Sequence, residues 1–365
     1  MKNNKKFLLI TGGTGGHVLP AQNLANYFID NDIECEIVID RRGYKYLNNF
    51  KGKVYLINSS NLSGGIISKI FGLFKMLIGF IQSLRIIIFQ KPNTVISFGS
   101  YASFLPILSC IVTKPFFRTK IFIHEQNSIL GRTNSFFLIF ASKLLLNFDI
   151  SSRIKNKYKS KIFVVGMPDN NNLNKISNKY NFTKNEFIIF ISGGSQGSEY
   201  VSKFASNLIK IIDKENIINV SFIFQSPKHL IKKISEDLKY IKLKIIIKEY
   251  YSNIEEILEV TSLAISRAGA GSISDLIKYE IPSLLIPLPN SKDNHQFFNA
   301  SILETNKLAI ILDQKNQELD KAKKYIYNIY KNNDNNKVIK NRFNKIKVRN
   351  SNSLIYKLIV DEEKN

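Results

Sequence analysis

Two glycine-rich loops constrain the fold of this 365-residue chain more than any other feature of its sequence. The first loop, residues 11–17 (TGGTGGH), lies between an apolar run over residues 7–10 and a helix predicted over residues 20–28. The second loop, residues 192–198 (SGGSQGS), lies between a predicted strand and a predicted helix in the same way. Glycines at such a turn let the backbone approach a ligand closely, and the amides that open the following helix favour a phosphate group.

Strand and helix signals alternate after each loop, which is typical of parallel sheets. The strands predicted in the first half cover residues 7–10, 34–39, 94–97, 121–123 and 162–165. The second half predicts strands over residues 187–191, 220–224, 244–247, 263–265 and 283–286, with a helix over residues 199–212. We therefore expect an α/β protein with two Rossmann-like, doubly wound parallel-sheet domains that face a cleft.

The domain limits are predicted from changes of composition along the chain. We expect an N-terminal domain over residues 1–166, a polar, Asn-rich linker over residues 167–185 and a C-terminal domain over residues 186–350. Residues 351–365 form a tail with one apolar segment, residues 354–360. We expect this tail to form a helix that packs back on the N-terminal domain.

The charge balance favours an anionic partner. The chain has 52 Lys and Arg against 29 Asp and Glu, a net charge of +23, which suits nucleic acid, an anionic membrane surface or a phosphorylated substrate. Coding bias toward Lys, Ile and Asn is an equally good explanation of this excess. We find no basic stripe with interleaved aromatic residues, and we expect no nucleic-acid partner. With only two cysteines, a disulfide framework is excluded and a reducing compartment is indicated.

One segment has more apolar residues than a single helix face needs. It covers residues 66–89 (IISKIFGLFKMLIGFIQSLRIIIF), and Lys69, Lys75 and Arg85 interrupt it, so no transmembrane helix is expected. An apolar helix with cationic neighbours can lie in a membrane interface, whereas the alternative is a buried helix of a large α/β core. We expect contact with an anionic membrane surface.

The first glycine loop lacks the features of two common nucleotide sites. No Gly-Lys-Ser/Thr follows it, as a nucleotide P-loop requires, and Val18 stands where the dinucleotide fingerprint has its last glycine. His17 closes the loop, at a place where an imidazole can serve as a base near neutral pH. The alternative role for His17 is to cap the following helix.

Three further motifs follow predicted strands, where side chains line the ligand crevice of an open α/β sheet. Residues 124–127 (HEQN) precede Gly131 and Asn134. Residues 266–272 (SRAGAGS) precede Asp275, whose carboxylate suits the two hydroxyls of a ribose or, alternatively, complements the helix dipole. Residues 293–296 (DNHQ), with Asn299, supply polar groups suited to sugar hydroxyls.

The sequence offers little support for a protein-bound metal. Its four histidines show no metal-ligand spacing. Asp30 and Asp32 match the Asp-x-Asp metal signature of one glycosyltransferase class, but they precede a predicted strand, and we interpret them as turn residues. We expect no metal site and no tightly bound cofactor, and we leave open a role for diffusible Mg²⁺.

Together these motifs resemble the MurG-type UDP-N-acetylglucosamine transferases of peptidoglycan synthesis, over roughly residues 5–310. The resemblance implies the GT-B architecture. It implies an inverting transfer of N-acetylglucosamine (GlcNAc) from UDP-GlcNAc to the muramyl O4 of lipid I, undecaprenyl-pyrophosphoryl-MurNAc-pentapeptide, which gives lipid II. It also implies an enzyme bound peripherally to the cytoplasmic face of the bacterial inner membrane.

The resemblance further implies roles for individual residues. His17 is the candidate base, with Glu125 or Asn127 assisting it. The residues implied to bind UDP-GlcNAc are Thr14, Gly15, Gly16, Asn127, Asn170, Ser195, Gln196, Tyr251, Asp275, His295, Gln296 and Asn299. Those implied to hold the acceptor diphosphate are Gly13, Thr14, Gly15, Gly16, Gly99 and Ser100. Loop amides and helix dipoles would stabilise the leaving UDP.

Three positions depart from the family pattern. Asn170 stands where the family has an arginine for the donor diphosphate, and an asparagine cannot supply that charge. Asp275 is shorter than the usual glutamate, and Ser100 interrupts the usual Gly-Gly-Tyr. We expect weaker donor binding or compensation by a nearby lysine. Two alternatives stay open: a GT-B transferase for another lipid acceptor, such as a diacylglycerol, and a decayed, non-catalytic protein that binds nucleotide sugar at the membrane surface.

Overall fold

The computed structural model divides the chain into two compact units. It describes residues 5–60, 65–170, 182–183, 186–194, 197–215, 219–251, 253–331 and 336–364. The first unit comprises Met1–Asn171 and Val348–Asn365, and the second comprises Asn172–Lys347. Most of the predicted linker lies outside the described residues, so its limits stay a prediction.

The first unit contains a parallel sheet of seven strands. Its strands are β1 (Lys6–Thr11), β2 (Glu34–Asp40), β3 (Val54–Ile57), β4 (Thr94–Ser97), β5 (Lys120–Glu125), β6 (Lys143–Leu146) and β7 (Ile162–Val164). They lie in the order β3-β2-β1-β4-β5-β6-β7. The order reverses between β1 and β4, and the carboxyl ends of strands beside such a reversal form the usual ligand crevice of a doubly wound sheet.

Helices connect these strands, and the inner residues of β1, β2, β4, β5 and β6 are mostly apolar and buried. The helices are α1 (Gly15–Asp30), α2 (Arg41–Tyr44), α3 (Ile66–Gln90), α4 (Phe104–Val112) and α5 (Arg132–Phe137). Phe7 and Leu9 of β1 are fully buried against Val18, Leu24 and Phe28 of α1. This packing fixes the position of the first glycine loop, which joins the two elements.

The second unit repeats the arrangement with six parallel strands in the order β10-β9-β8-β11-β12-β13. The strands are β8 (Phe187–Ser192), β9 (Val220–Gln225), β10 (Lys244–Lys248), β11 (Leu263–Ser266), β12 (Ser283–Leu285) and β13 (Ala309–Ile311). The helices are α6 (Glu199–Lys214), α7 (Lys228–Asp237), α8 (Ile254–Val260), α9 (Ala270–Lys278), α10 (His295–Thr305), α11 (Leu319–Lys331) and α12 (Asn336–Ile346). Here the order reverses between β8 and β11, beside the second glycine loop.

The last helix, α13 (Ser351–Lys364), belongs to the first unit. Its Ile355 and Ile359 are fully buried in the core that contains β1 and α1. The Tyr356 ring lies 6.1 Å from the ring of Phe28, and Lys143 Nζ lies 2.8 Å from a carboxylate oxygen of Glu362. These contacts attach the end of the chain to the unit in which the chain begins.

The predicted fold class of two Rossmann-like parallel-sheet domains is confirmed. Every predicted strand is present, but β3, β6 and β13 were missed because they are short and their runs do not distinguish strand from helix. Helix α1 begins at Gly15 rather than at Pro20, because the second glycine pair of the loop forms its first turn. Strand β5 continues through Glu125, so His124 and Glu125 end this strand instead of following it.

Helix α3 presents an apolar face to solvent. Among the described residues, Ser68–Gln90 forms the one helix long and apolar enough to cross a membrane. Its opposite face packs closely on the unit: Gly79 leaves no room for a Cβ beside the Asn58 carbonyl, and Gln82 accepts from Asn58 N at 2.8 Å. The exposed apolar side chains include Ile70, Phe71, Leu73, Phe74, Leu77, Ile81, Ile88 and Phe89. The helix therefore lies along the protein with one face uncovered.

Candidate active site

The first glycine loop is held by the buried carboxylate of Asp40, which ends β2. Asp40 Oδ1 accepts from Gly13 N at 2.9 Å and from Gly43 N at 2.8 Å. Gly13 has a positive φ of 82°, and a Cβ on Gly12 would lie 2.6 Å from Asp40 Oδ1, so the loop needs glycine at both positions. Sequence reasoning missed Asp40, although an acid at the carboxyl end of a predicted strand is a usable signal.

The loop opens α1 with an exposed Thr14 at the N-cap. The amides of the first turn, Gly15 and Gly16 among them, have no intrahelical acceptor, as in any α-helix. Together with the positive end of the helix dipole they suit an anionic ligand. The predicted roles of Gly13, Thr14, Gly15 and Gly16 toward a diphosphate stay predictions that this geometry supports.

His17 lies in the first turn of α1, and its tautomer is determined by its neighbours. Nδ1 lies 2.8 Å from the Phe98 carbonyl oxygen and 2.7 Å from Gln126 Oε1. Both neighbours are acceptors, so Nδ1 carries the hydrogen and Nε2 carries the lone pair. His17 thus presents a basic nitrogen on the side of the ring away from these partners, which suits the predicted role of base and not that of a helix cap.

Gln126 connects His17 to a second histidine. Its Nε2 lies 3.0 Å from both the carbonyl oxygen and Nδ1 of His124, which orients the amide and leaves Oε1 to accept from His17. His124 Nε2 in turn donates to the carbonyl of Gly166 at 3.0 Å. The donors in this series of hydrogen bonds all point the same way, from His17 through Gln126 and His124 to Gly166. We call these four residues the histidine relay.

Of the two histidines in the relay, His124 is the fully buried one. Its ring is fully buried and stacks on Phe98 with 5.0 Å between centroids. Burial lowers the pKa of His124 to about 4, despite the Gly166 carbonyl, which favours the protonated form. At neutral pH this imidazole is therefore uncharged and holds one tautomer. Sequence reasoning named His124 and Gln126 only as members of the HEQN motif and gave neither of them a role.

Glu125 anchors the loop that follows β5. One carboxylate oxygen accepts from Asn127 N at 3.0 Å, and the other accepts from Gly131 N and Asn134 Nδ2, both at 2.8 Å. The side chain is buried, with its oxygens directed at these N–H groups. In this geometry Glu125 positions Asn127, which is half-buried. The predicted assistance of Glu125 and Asn127 to the base stays a prediction.

A third loop joins β4 to α4 beside the first. Gly99 has a positive φ of 74°, and its carbonyl accepts from Ser103 Oγ. Ser100 also has a positive φ, 71° with ψ 159°, and its hydroxyl accepts from Ala102 N at 3.2 Å. The position of a Cβ on Gly13 would be 3.1 Å from Ser100 Oγ. The structure therefore brings the first and third loops together, as the predicted diphosphate site requires.

The second unit has a pocket at the carboxyl ends of β8 and β11. Its lining residues are Phe190, Ser192, Gly194, Gln225, Tyr250, Tyr251, Ile254, Leu258, Ala264, Ser266, Ser272, Asp275 and Leu276. Asp275 is exposed on α9 and supplies the carboxylate of the pocket. Tyr251 is buried, and its hydroxyl donates to the Ile246 carbonyl at 3.0 Å, so this side chain shapes the pocket wall. An apolar pocket with one carboxylate and several hydroxyl groups suits a nucleoside.

The second glycine loop meets a buried arginine. Ser198 caps α6 by accepting from Val201 N at 3.3 Å, and it also accepts from Arg267 Nη2 at 2.8 Å. Arg267 Nη1 donates to the carbonyls of Ile286 and Pro287 at 3.0 and 3.2 Å. Burial lowers the pKa of Arg267. This guanidinium lies beside a loop and a helix N-terminus that suit phosphate, and the sequence motif contained it without a role.

The remaining candidate residues for donor binding already contact backbone groups or lie exposed at the surface. His295 begins α10 and its Nδ1 donates to Lys292 O at 2.8 Å, while Gln296 Oε1 accepts from Leu288 N at 2.9 Å. Asn299 is fully buried and donates to Ala268 O at 3.1 Å, so in this structure it supports the loop before α9. Asn170 is exposed at the end of the first unit. Their contacts with a sugar or phosphate stay predictions.

Ser195 and Gln196 lie outside the described residues, so nothing is said of their position. Within the described ranges, no group of three or more His, Cys, Asp or Glu side chains is placed to hold a metal ion.

Comparison with known proteins identifies two domains and near full-length relatives. Residues 7–146 match the N-terminal domain of glycosyltransferase family 28, and residues 188–354 match its C-terminal domain. A UDP-N-acetylglucosamine–N-acetylmuramyl-(pentapeptide) pyrophosphoryl-undecaprenol N-acetylglucosamine transferase of Rickettsia canadensis (strain McKiel) is 33% identical, covering 90% of this chain and 91% of the relative. The enzyme of the same name from Rickettsia prowazekii (strain Madrid E) is 32% identical over the same shares.

The fold has a solved counterpart as well. The crystal structure of Acinetobacter baumannii MurG superposes with a TM-score of 0.77 at 19% identity, covering 98% of this chain and 99% of that one. At this identity the likeness establishes the fold. It agrees with the two doubly wound sheets described above.

We expect the neutral, buried His124 to make stability depend on pH. An exposed histidine titrates near pH 6.5, whereas His124 in the folded chain titrates near 4. Between these values the unfolded chain binds a proton that the folded chain does not, so the free energy of unfolding falls as the pH falls. The loss from this residue approaches about 3 kcal/mol.

Denaturant unfolding of wild type and His124→Gln, at neutral pH and near pH 4.5, measures this contribution. The wild type is expected to lose more stability than the variant over that interval. Parallel losses in the two proteins would contradict a neutral, desolvated His124.

Proposed function

This chain belongs to the family of UDP-N-acetylglucosamine–N-acetylmuramyl-(pentapeptide) pyrophosphoryl-undecaprenol N-acetylglucosamine transferases, and we propose that it moves GlcNAc from UDP-GlcNAc to the muramyl O4 of lipid I. The product is lipid II, the disaccharide precursor of peptidoglycan. The observation that carries the mechanism is the histidine relay, which leaves His17 Nε2 as a basic nitrogen.

His17 takes the proton of the acceptor hydroxyl as O4 attacks the anomeric carbon of GlcNAc. The reaction needs one base for this proton and a stabiliser for the leaving UDP, and it inverts the anomeric centre. Two carbonyl oxygens accept from Nδ1 of His17, so their dipoles stabilise the imidazolium that forms. The low pKa of His124 keeps a second positive charge out of the relay.

The second unit binds the donor. Asp275 accepts from the ribose hydroxyls, and the backbone near Tyr251 faces the uracil in the pocket that both residues line. The second glycine loop and the N-terminus of α6 hold the diphosphate, and Arg267 adds its positive charge beside Ser198. We propose that this charge offsets part of what Asn170 lacks. A tightly bound cofactor is not part of the proposal, and the effect of a chelator on the rate tests the role of diffusible Mg²⁺.

The test is acceptor-dependent release of UDP on mixing the protein with UDP-GlcNAc and a short-chain lipid I analogue. We expect release together with a disaccharide product, and we expect His17→Ala to lower turnover by about a hundredfold or more while the KM for the donor changes little. UDP binding without release would contradict the proposal and favour the decayed protein. Release only with a diacylglycerol or another lipid would contradict the acceptor assignment.

Asp275→Ala is expected to weaken UDP binding by about 1–3 kcal/mol, because it removes hydrogen bonds to a charged acceptor. Isothermal titration calorimetry measures the affinity. Asp275→Glu, which restores the longer acid, is expected to bind UDP at least as well as wild type. Glu236→Ala, an exposed acid on α7 outside the pocket, is the matched control for loss of one negative charge. Equal UDP affinity in Asp275→Ala and Glu236→Ala would reject the ribose role.

We also propose that the exposed face of α3 binds the cytoplasmic surface of the cell membrane, where lipid I is presented. The face combines large apolar side chains, such as Phe71 and Phe74, with the exposed cations Lys69, Lys75 and Arg85. Because the other face of the helix packs on the first unit, the helix suits a position in the interface more than a span across the bilayer. The basic charge excess favours anionic lipids.

Sedimentation with anionic and neutral liposomes tests this surface. Replacing Lys69, Lys75 and Arg85 by Gln is expected to weaken binding to anionic vesicles by about 1 kcal/mol per charge. A control variant replaces the exposed Lys232, Lys233 and Lys239 of the second unit, which removes the same charge. If both triple variants bind anionic vesicles alike, the α3 cations form no specific membrane surface.

A further inference from the structure

Arg42 lies beside both the first glycine loop and the carboxylate that holds the loop. Asp40 Oδ1 accepts from Gly13 N and Gly43 N, and Oδ2 accepts from Ser59 Oγ at 3.1 Å. Arg42 Nε lies 3.6 Å from the same Oδ2. One buried carboxylate therefore holds the loop and lies at ion-pair distance from the guanidinium of Arg42.

The guanidinium is stacked on the ring of Tyr101. Its central carbon lies 4.6 Å from the ring centroid, a cation–π distance. A Cβ atom placed on Gly13 would lie 3.5 Å from Arg42 Nη2, so this terminal nitrogen of the guanidinium lies against the glycine loop. The side chain is nevertheless 56% exposed. Arg42 is thus held in place by two neighbours while its outer N–H groups stay open to a ligand.

Ser100 lies against the same glycine from the third loop. Its backbone, at φ 71° and ψ 159°, is in a region that glycine adopts readily and serine rarely does. A Cβ atom placed on Gly13 would lie 3.1 Å from the Ser100 Oγ. Because this oxygen accepts from Ala102 N, its hydrogen can be donated to a ligand. A strained serine here is explained if its hydroxyl is used.

The two side chains and the start of α1 make a donor set for an anion with several oxygens. A guanidinium presents a planar fork that matches two phosphate oxygens, which a lysine does not. The Asp40 carboxylate repels an anion, but its side chain is only 3% exposed and its oxygens accept from two amides and a hydroxyl. The chemistry that fits is a diphosphate, whether from the lipid acceptor or from a free nucleotide.

We propose that Arg42 binds the diphosphate of the lipid acceptor, across Gly13 from Ser100, which the family resemblance already implies as a donor to that diphosphate. The inference rests on the proposed function, because the acceptor of that reaction carries a diphosphate. It assigns the positive charge of the acceptor site to a residue of α2, outside the glycine loops.

Steady-state kinetics of Arg42→Ala, Arg42→Lys and Arg41→Ala test the proposal. Arg41 is the exposed neighbour of Arg42, and its loss removes the same charge. Arg42→Ala is expected to raise the KM for the lipid I analogue about tenfold or more and to change the KM for UDP-GlcNAc less than about twofold. Arg42→Lys is expected to fall between Arg42→Ala and wild type, and Arg41→Ala to resemble wild type.

Inorganic pyrophosphate serves as a probe that needs no turnover. Calorimetry is expected to show binding to wild type and to Arg41→Ala, and about tenfold weaker binding to Arg42→Ala. Pyrophosphate inhibition is expected to be competitive against the lipid acceptor. A rise in the KM for UDP-GlcNAc instead of the acceptor would overturn the proposal and assign Arg42 to the nucleotide.

Ser100→Gly separates binding from folding. Glycine relieves the strained φ, so the melting temperature is expected to rise while the KM for the acceptor also rises. If Arg42→Ala and Arg41→Ala have equal acceptor KM values in a transferring enzyme, the Arg42 inference alone fails. If wild type transfers nothing to lipid I, the proposed function fails, and pyrophosphate calorimetry still decides whether Arg42 binds a diphosphate.

Discussion

The arrangement of the first unit depends on one directed series of hydrogen bonds. His17, Gln126, His124 and Gly166 form this relay. Its first donor, His17 Nδ1, also contacts the Phe98 carbonyl oxygen, and its last donor, His124 Nε2, contacts the Gly166 carbonyl oxygen. Since each group can donate in only one direction, none can reverse without leaving a buried donor or acceptor unpaired. The relay joins the first helix, the ends of β4 and β5, and the segment after β7. The positions of these strands therefore determine the orientation of the His17 imidazole ring.

The second unit uses a buried cation for a similar purpose. Arg267 contacts the N-cap of α6 and two carbonyls beyond β12, so the second glycine loop and the following strand ends are fixed by one guanidinium. Both units thus place a helix N-terminus at the carboxyl end of their central strand and hold it with a buried polar group. In the first unit these groups are Asp40 and the relay, and in the second unit the group is Arg267.

The sequence predicts the fold and the motif residues because strand alternation and glycine loops are local signals. It does not predict partners that come from distant strands. Gln126 contacts His17 across 109 positions of sequence, and no local pattern indicates this contact. The same limit applies to the contact of Arg42 with Tyr101 and to that of Asn299 with the Ala268 carbonyl, whereas the predicted sugar contact of Asn299 stays a prediction. Conversely, Glu125 has the residue type of a base, but its oxygens already accept from Asn127 N, Gly131 N and Asn134 Nδ2.

The central claim is that the relay fixes His17 with its hydrogen on Nδ1 and its lone pair on Nε2. Nitrogen-15 NMR of histidine-labelled protein at neutral to slightly basic pH tests it most directly, with His17→Gln and His124→Gln used to assign the signals. The expected result is a protonated Nδ1 and a bare Nε2 on His17, and the opposite tautomer on His124. A His17 signal with the hydrogen on Nε2 would contradict the account, because that nitrogen would then have no lone pair with which to take a proton.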